Sequence, residues 1–317
     1  MASGSKKVIY AAMVGNGLIA ITKFFAASVT GSSAMFSEGI HSLVDTGNQG
    51  LLLYGLHRAN RPADEKHPFG YASEIYFWAF VVAILIFAVG AGVSLYEGIN
   101  KVIHPHVIND PTINYIVLGL AMIFEGVAWM IAFKEFQLTR GKRSIIQAVS
   151  ESKDPTIFTV LFEDTAAMLG LIVAFLGILG AQYLNIPELD GVASICIGLI
   201  LAGTAIVLAR ETMGLLIGEA AAPEIVERIS SIIEAEGAVD SLNEIRTLHR
   251  GPNDVLLVIS IDYRNDIRAG EVENTNYALE LAIKKEFPVV KRIFLEVQSA
   301  EHHRLELERT KKAREEK

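Results

Sequence analysis

The sequence predicts a membrane-embedded all-α domain of six helices followed by a small soluble α+β domain. Three observations carry this prediction. Hydrophobic residues make up 51% of the 317 positions, yet the long apolar runs lie almost entirely before Arg210. Six of those runs approach or exceed the ~20 residues that cross a bilayer. Lysine and arginine gather in alternate loops between them.

The runs are roughly 8–29, 34–56, 76–99, 113–133, 156–181 and 189–209. Backbone groups in hydrocarbon must be satisfied within their own segment, so each run is expected to be a helix. With six spans both termini share a side. That side carries Lys6, Lys7, Arg58, Arg61, Lys66, Lys134, Arg140, Lys142, Arg143 and Lys153, against Lys101 on the other. The excess places both termini in the cytoplasm, and a plasma (inner) membrane protein is expected. Met1 to Lys7 is short and polar with no small-residue cleavage site after the first run, which is read as a retained helix.

Composition excludes several function classes. A net charge of −8 argues against a nucleic-acid partner, which would need a basic patch. The single cysteine, Cys196, supports neither a disulfide framework nor a thiolate metal cage. The predicted units are a transmembrane domain over 1–209, a cytoplasmic domain over 210–300 and a charged tail over 301–317. In the second unit, Ile225, Val226, Ile229, Ile232 and Ile233 recur at helical spacing. Strands are expected over 242–249, 255–263 and 290–297, with a turn at 251–254 and a helix over 271–286, giving the order αββαβ. His249 reads as a solvated turn histidine. His302 and His303 open a tail that reads as an exposed or frayed helix.

Ionisable groups at membrane depth are expensive and point to function. In the second run His41 and Asp45 are four apart, so a helix stacks them on one face, with Glu38 a turn before and Asn48 a turn after. The fifth run holds Glu163 and Asp164. At 1.5 Å per residue, Asp45 lies about 17 Å from one end of its run and Asp164 about 12 Å from the opposite end of its own, nearly the same level of a ~30 Å core. One imidazole and two carboxylates converging there suit a borderline divalent cation, although a purely structural polar pair is the blander reading. Glu125 in the fourth run reads equally as a proton-relay group or an interhelical hydrogen bond. Asn16 and Lys23 read as packing and snorkelling residues.

The stretch Thr30-Gly-Ser-Ser-Ala-Met-Phe-Ser-Glu-Gly-Ile-His-Ser-Leu-Val-Asp-Thr-Gly-Asn-Gln49, followed by His67-Pro-Phe-Gly-Tyr71, resembles the cation diffusion facilitators. The resemblance covers the whole chain and is closest to the branch with Glu-Asp-Thr-Ala-Ala in the fifth span. It implies a homodimeric transporter exporting divalent cations, usually Zn²⁺, in exchange for protons, with Mn²⁺, Fe²⁺ and Co²⁺ as alternatives. It also implies four ligands, two on the second helix and two on the fifth. His41, Asp45 and Asp164 match three of them. The fourth falls on Val160, which has no donor atom, leaving Glu163 or a water to complete the set. Asp64 and His67 match part of a second-metal loop in some bacterial relatives, with Tyr71 where a further histidine stands. The αββαβ order fits the small ferredoxin-like domain that members carry, which dimerises and often binds metal; here its metal positions read as Ile and Leu. A membrane sensor or scaffold that binds metal without moving it is the competing reading. An intramembrane enzyme ranks last, since no nucleophile or oxyanion pocket is supplied.

Overall fold

A computed structural model describes residues 3–106, 110–140 and 144–315. Lys142 and Arg143, used above to orient the spans, lie outside the described residues. The chain divides into two units, Met1–Met213 and Gly214–Lys317.

The first unit is helical: α1 (Ser3–Thr30), α2 (Ser33–Ala59), α3 (Glu74–Leu85), α4 (Gly92–Ile103), α5 (Thr112–Arg140), the short α6 (Ile145–Ser150), α7 (Pro155–Tyr183) and α8 (Glu188–Ile217), whose last turn enters the second unit. Most of these helices run past the apolar stretches from which they are predicted, because polar residues continue them beyond the hydrophobic segments. Among the described residues, four stretches are long and apolar enough to cross a membrane: Glu74–Ile103, Thr112–Lys134, Phe158–Tyr183 and Glu188–Ile217. In α1 the apolar stretch is Asn16–Thr30. In α2 the ionisable stripe interrupts the apolar sequence.

Local chemistry fixes the helix starts. Gly31 turns the chain between α1 and α2 at φ +71°, a conformation open to glycine at no steric cost. Ser32 then accepts the Met35 N–H at 3.2 Å as the N-cap of α2. Asp154 does the same for α7 through Thr156 N–H at 3.0 Å, with Pro155 in the first turn. Between α3 and α4 the helix continues through a π-helical stretch, Ile86–Ala91, that no proline marks in the sequence. Small residues bring α4 against α8: a Cβ on Gly98 would stand 2.7 Å from the Gly191 carbonyl oxygen.

The second unit contains α9 (Pro223–Glu234), β1 (Val239–Gly251), β2 (Asp254–Tyr263), α10 (Ala269–Glu286), β3 (Val290–Val297) and α11 (Ala300–Glu315). The sheet order is β1-β2-β3, with β1 and β2 antiparallel and β2 and β3 parallel. Alternate residues of β2 (Val255, Leu257, Ile259, Ile261 and Tyr263) face a core shared with Ile229 and Ile233 of α9 and Leu279 and Ile283 of α10. His249 departs from the solvated reading: it is buried, and its Nδ1 lies 3.2 Å from the Gly251 carbonyl oxygen. The tail forms α11, which buries none of its residues. His302 Nδ1 pairs with Ser299 Oγ and His303 Nδ1 with Gln298 Oε1, each at 3.0 Å.

A candidate cation path between α2 and α7

Helical periodicity places Glu38, His41, Asp45 and Asn48 along one face of α2, and all four are buried. His41 Nε2 lies 3.4 Å from Asp45 Oδ2. Facing them on α7 are Glu163, which is buried, and Gly170, one face of the helix seven residues further on. Asn48 Nδ2 donates to Glu163 Oε1 at 2.7 Å, tying α2 to α7. Asp164 sits further round the helix and is half-buried. Glu125 of α5 is buried.

Among the described residues, no three His, Cys, Asp or Glu side chains stand close enough together to hold a metal ion. The donors are nonetheless present and underused. His41 Nδ1, Asp45 Oδ1, Glu38 Oε1 and Asn48 Oδ1 are buried and take no hydrogen bond. Buried polar atoms are normally satisfied, so a row of orphans along one helix face is a feature requiring explanation. Imidazole nitrogen with carboxylate oxygens is the donor chemistry of a divalent cation of the zinc or manganese kind. Val160, a turn before Asp164, is half-buried and supplies only hydrocarbon. Its neighbour Thr159, a turn before Glu163, is fully buried with an unpartnered Oγ1.

Sequence reasoning missed two further arrangements. Lys23 does not snorkel. Its Nζ donates to Glu38 Oε2 at 2.9 Å and to Ser42 Oγ at 2.8 Å, and the Lys23 and Glu38 side chains are 1% and 0% exposed. The second is at the N-terminal end of α2. Asp190 of α8 takes hydrogen bonds there from Ser32 Oγ (2.6 Å), Ser33 N (2.7 Å), Ser33 Oγ (3.2 Å) and Ala34 N (3.3 Å). Lys101 Nζ lies 3.8 Å from the same carboxylate and donates to the Gly31 carbonyl at 2.7 Å. A lysine in an apolar run and an acid at a helix start were the only signals available.

The loop between α2 and α3 is closed by its own side chains. Asp64 accepts from His67 N at 2.7 Å and from Tyr71 Oη at 2.5 Å, and the His67 ring packs 4.3 Å from that of Tyr71. The Arg61 guanidinium lies over Tyr71, 4.6 Å from the ring centroid. The Tyr71 hydroxyl, with the His67 N–H, holds the Asp64 carboxyl below its ordinary range, and the same bond pushes the Tyr71 phenol up.

Known proteins resemble this chain over most of its length. The family model of the cation efflux transmembrane domain matches residues 9–217. A human protein described as a mitochondrial proton-coupled zinc antiporter, SLC30A9, is 32% identical over 262 residues, covering 82% of this chain and 46% of its own length. The Arabidopsis thaliana metal tolerance protein C4 is 26% identical over 83% of this chain and 58% of its own. The Bacillus subtilis manganese efflux system protein MneP is 26% identical over 92% of this chain and 95% of its own. The chain thus spans about half the length of the animal zinc antiporter it matches.

Proposed function

We propose that this chain, which belongs to the cation diffusion facilitator family, exports a divalent metal ion, foremost zinc, in exchange for protons by alternating access. The family consists of transporters, not enzymes. The observation that carries the proposal is the buried His41–Asp45 pair facing Glu163 across the α2–α7 contact, with unsatisfied donor atoms on His41 and Asp45. Uncompensated carboxylates in a membrane interior are costly, and a divalent cation offsets that cost.

In this reading His41, Asp45 and Asp164 bind the ion and Glu163 serves as fourth ligand. Loading transfers Glu163 from Asn48 to the metal and draws Asp164 towards α2. Metal binding needs the imidazole and carboxylates deprotonated, so protons entering from the far side weaken the site and release the ion. The proposed assembly is a homodimer joined through the ferredoxin-like domain. It has six spans and both termini in the cytoplasm of the plasma membrane. Zinc leads because the relative with the higher identity is described as a zinc antiporter. The manganese relative keeps Mn²⁺ in contention, and competition by Mn²⁺, Fe²⁺ and Co²⁺ would order the metals.

Zinc uptake into proteoliposomes tests the proposal. Asp45→Ala is expected to abolish proton-dependent uptake, and unchanged uptake in that variant would refute it. Val160, which supplies only hydrocarbon where a fourth ligand would stand, favours a second reading, a membrane sensor that binds without translocating. Stoichiometric zinc binding with no uptake by the wild-type protein would select it.

A further inference from the structure

The mechanism above leaves one pair unused. Lys23 and Glu38 form a fully buried ion pair, and such pairs are seldom the stable choice, since well-packed hydrophobic residues generally do as well or better. Lys23 engages one oxygen of Glu38 and the Ser42 hydroxyl. The second oxygen, Oε1, has no partner and points at Gly170 of α7. A Cβ on Gly170 would lie 2.3 Å from that oxygen and 3.9 Å from His41 Nδ1, which is also unpartnered. One carboxylate oxygen and one imidazole nitrogen therefore both face the space beside Gly170, on the opposite edge of the His41 ring from the Nε2 that meets Asp45.

We propose that Glu38 and His41 Nδ1 form a second cation station on the path, and that Lys23 keeps it shallow. An ion leaving Asp45 meets these two donors next, as the neutral imidazole shifts its one proton from Nδ1 to the vacated Nε2 beside Asp45. Conduction requires such a position to attract the ion without trapping it. A fixed ammonium 2.9 Å from Glu38 meets that requirement by neutralising the carboxylate from within the protein. The inference rests on the transport-site reading given above.

The test uses the full chain, with zinc binding by calorimetry and zinc uptake in proteoliposomes. Lys23→Met frees Glu38. Zinc is then expected to bind about tenfold or more tightly, the scale of one charge-assisted hydrogen bond, while turnover at saturating zinc falls. Lys23→Met/Glu38→Gln should return the affinity to the wild-type value, and Lys23→Arg should keep it. A merely structural role for Lys23 predicts the opposite sign, since a damaged site binds more weakly. Unchanged or weakened binding in a folded Lys23→Met protein overturns the inference, as does a double variant as tight as the single one. Should Lys23→Met not fold, Glu38→Gln alone decides: it leaves Lys23 unopposed and must weaken zinc binding, and an unchanged affinity overturns the proposal. An Asp45→Ala arm separates the two ideas. Wild-type affinity in that variant defeats the transport-site reading, whereas lost affinity alongside a silent Lys23→Met defeats the second station alone.

Discussion

Replacing Asp190 by alanine removes a fully buried carboxylate that accepts four hydrogen bonds at the start of α2. Two of the donors are backbone N–H groups of the first turn, which have no partner inside their own helix. Ser32 keeps its cap to Met35, so the helix start is weakened rather than deleted. Interhelical hydrogen bonds in membranes average about 0.6 kcal/mol, which gives about 2.4 kcal/mol for four. Loss of a carboxylate from a helix N-terminus adds about 0.3–1 kcal/mol. Lys101 loses its ion-pair partner but keeps the Gly31 carbonyl, so its share is small. The expected destabilisation is about 3 kcal/mol. Asp190→Asn, which keeps the shape and one acceptor oxygen, should lose about half as much. Reversible unfolding in mixed micelles, followed by the fluorescence of Trp78 and Trp129, measures both. An alanine variant within about 0.5 kcal/mol of wild type, the range of an ordinary surface substitution, would refute the reasoning.

The remaining predictions concern the helix contact and the loop. Gly170→Ala places a methyl group against Glu38 Oε1 and His41, so it should cost about 1–3 kcal/mol of stability and depress zinc uptake, read by the same unfolding and vesicle assays. Wild-type stability and uptake would mean that α2 and α7 are less closely engaged. Asp64→Asn should leave zinc stoichiometry unchanged in calorimetry, because the carboxylate is already held by Tyr71 and His67. The same contacts predict two pH windows. Asp64 sits below its ordinary value, so its contribution is present above that value and lost as pH falls through the folded one. Tyr71 sits above its ordinary value, so its contribution is present below that value and lost as pH rises through the folded one. Hydrogen exchange across 60–73, compared between wild type and Asp64→Asn over pH, reads the acid limb; the two proteins should converge at its low end.

How much of this was legible in the sequence depends on whether the information was local. The His41–Asp45 pair follows from helix periodicity and is found as expected. Glu163 and Asp164 are neighbours set about 100° apart on a helix, and sequence alone does not choose which of them faces α2. Asn48 settles that by binding Glu163, a contact between residues on different helices. Lys23 looks like a snorkelling lysine until α2 is placed beside it, since its partner comes from the next helix. Asp190 looks like an ordinary acid in the first turn of its own helix, yet it serves the first turn of another. The strands were legible because alternation and turns are local signals. The burial of His249 was not, because it depends on how the end of β1 packs.

The reach of the Asp190 contact also bears on the order of assembly. Its donors Ser32, Ser33 and Ala34 precede it by 158, 157 and 156 residues. At ribosomal rates of 5–20 residues per second, the start of α2 waits about 8–30 s for its acceptor to be made. Over that interval the nascent helix has exposed donors, and α8 closes them on arrival. The last of the long apolar helices thus acts as a completion signal for the second, and a chain halted before α8 would present an open seam to quality-control proteases.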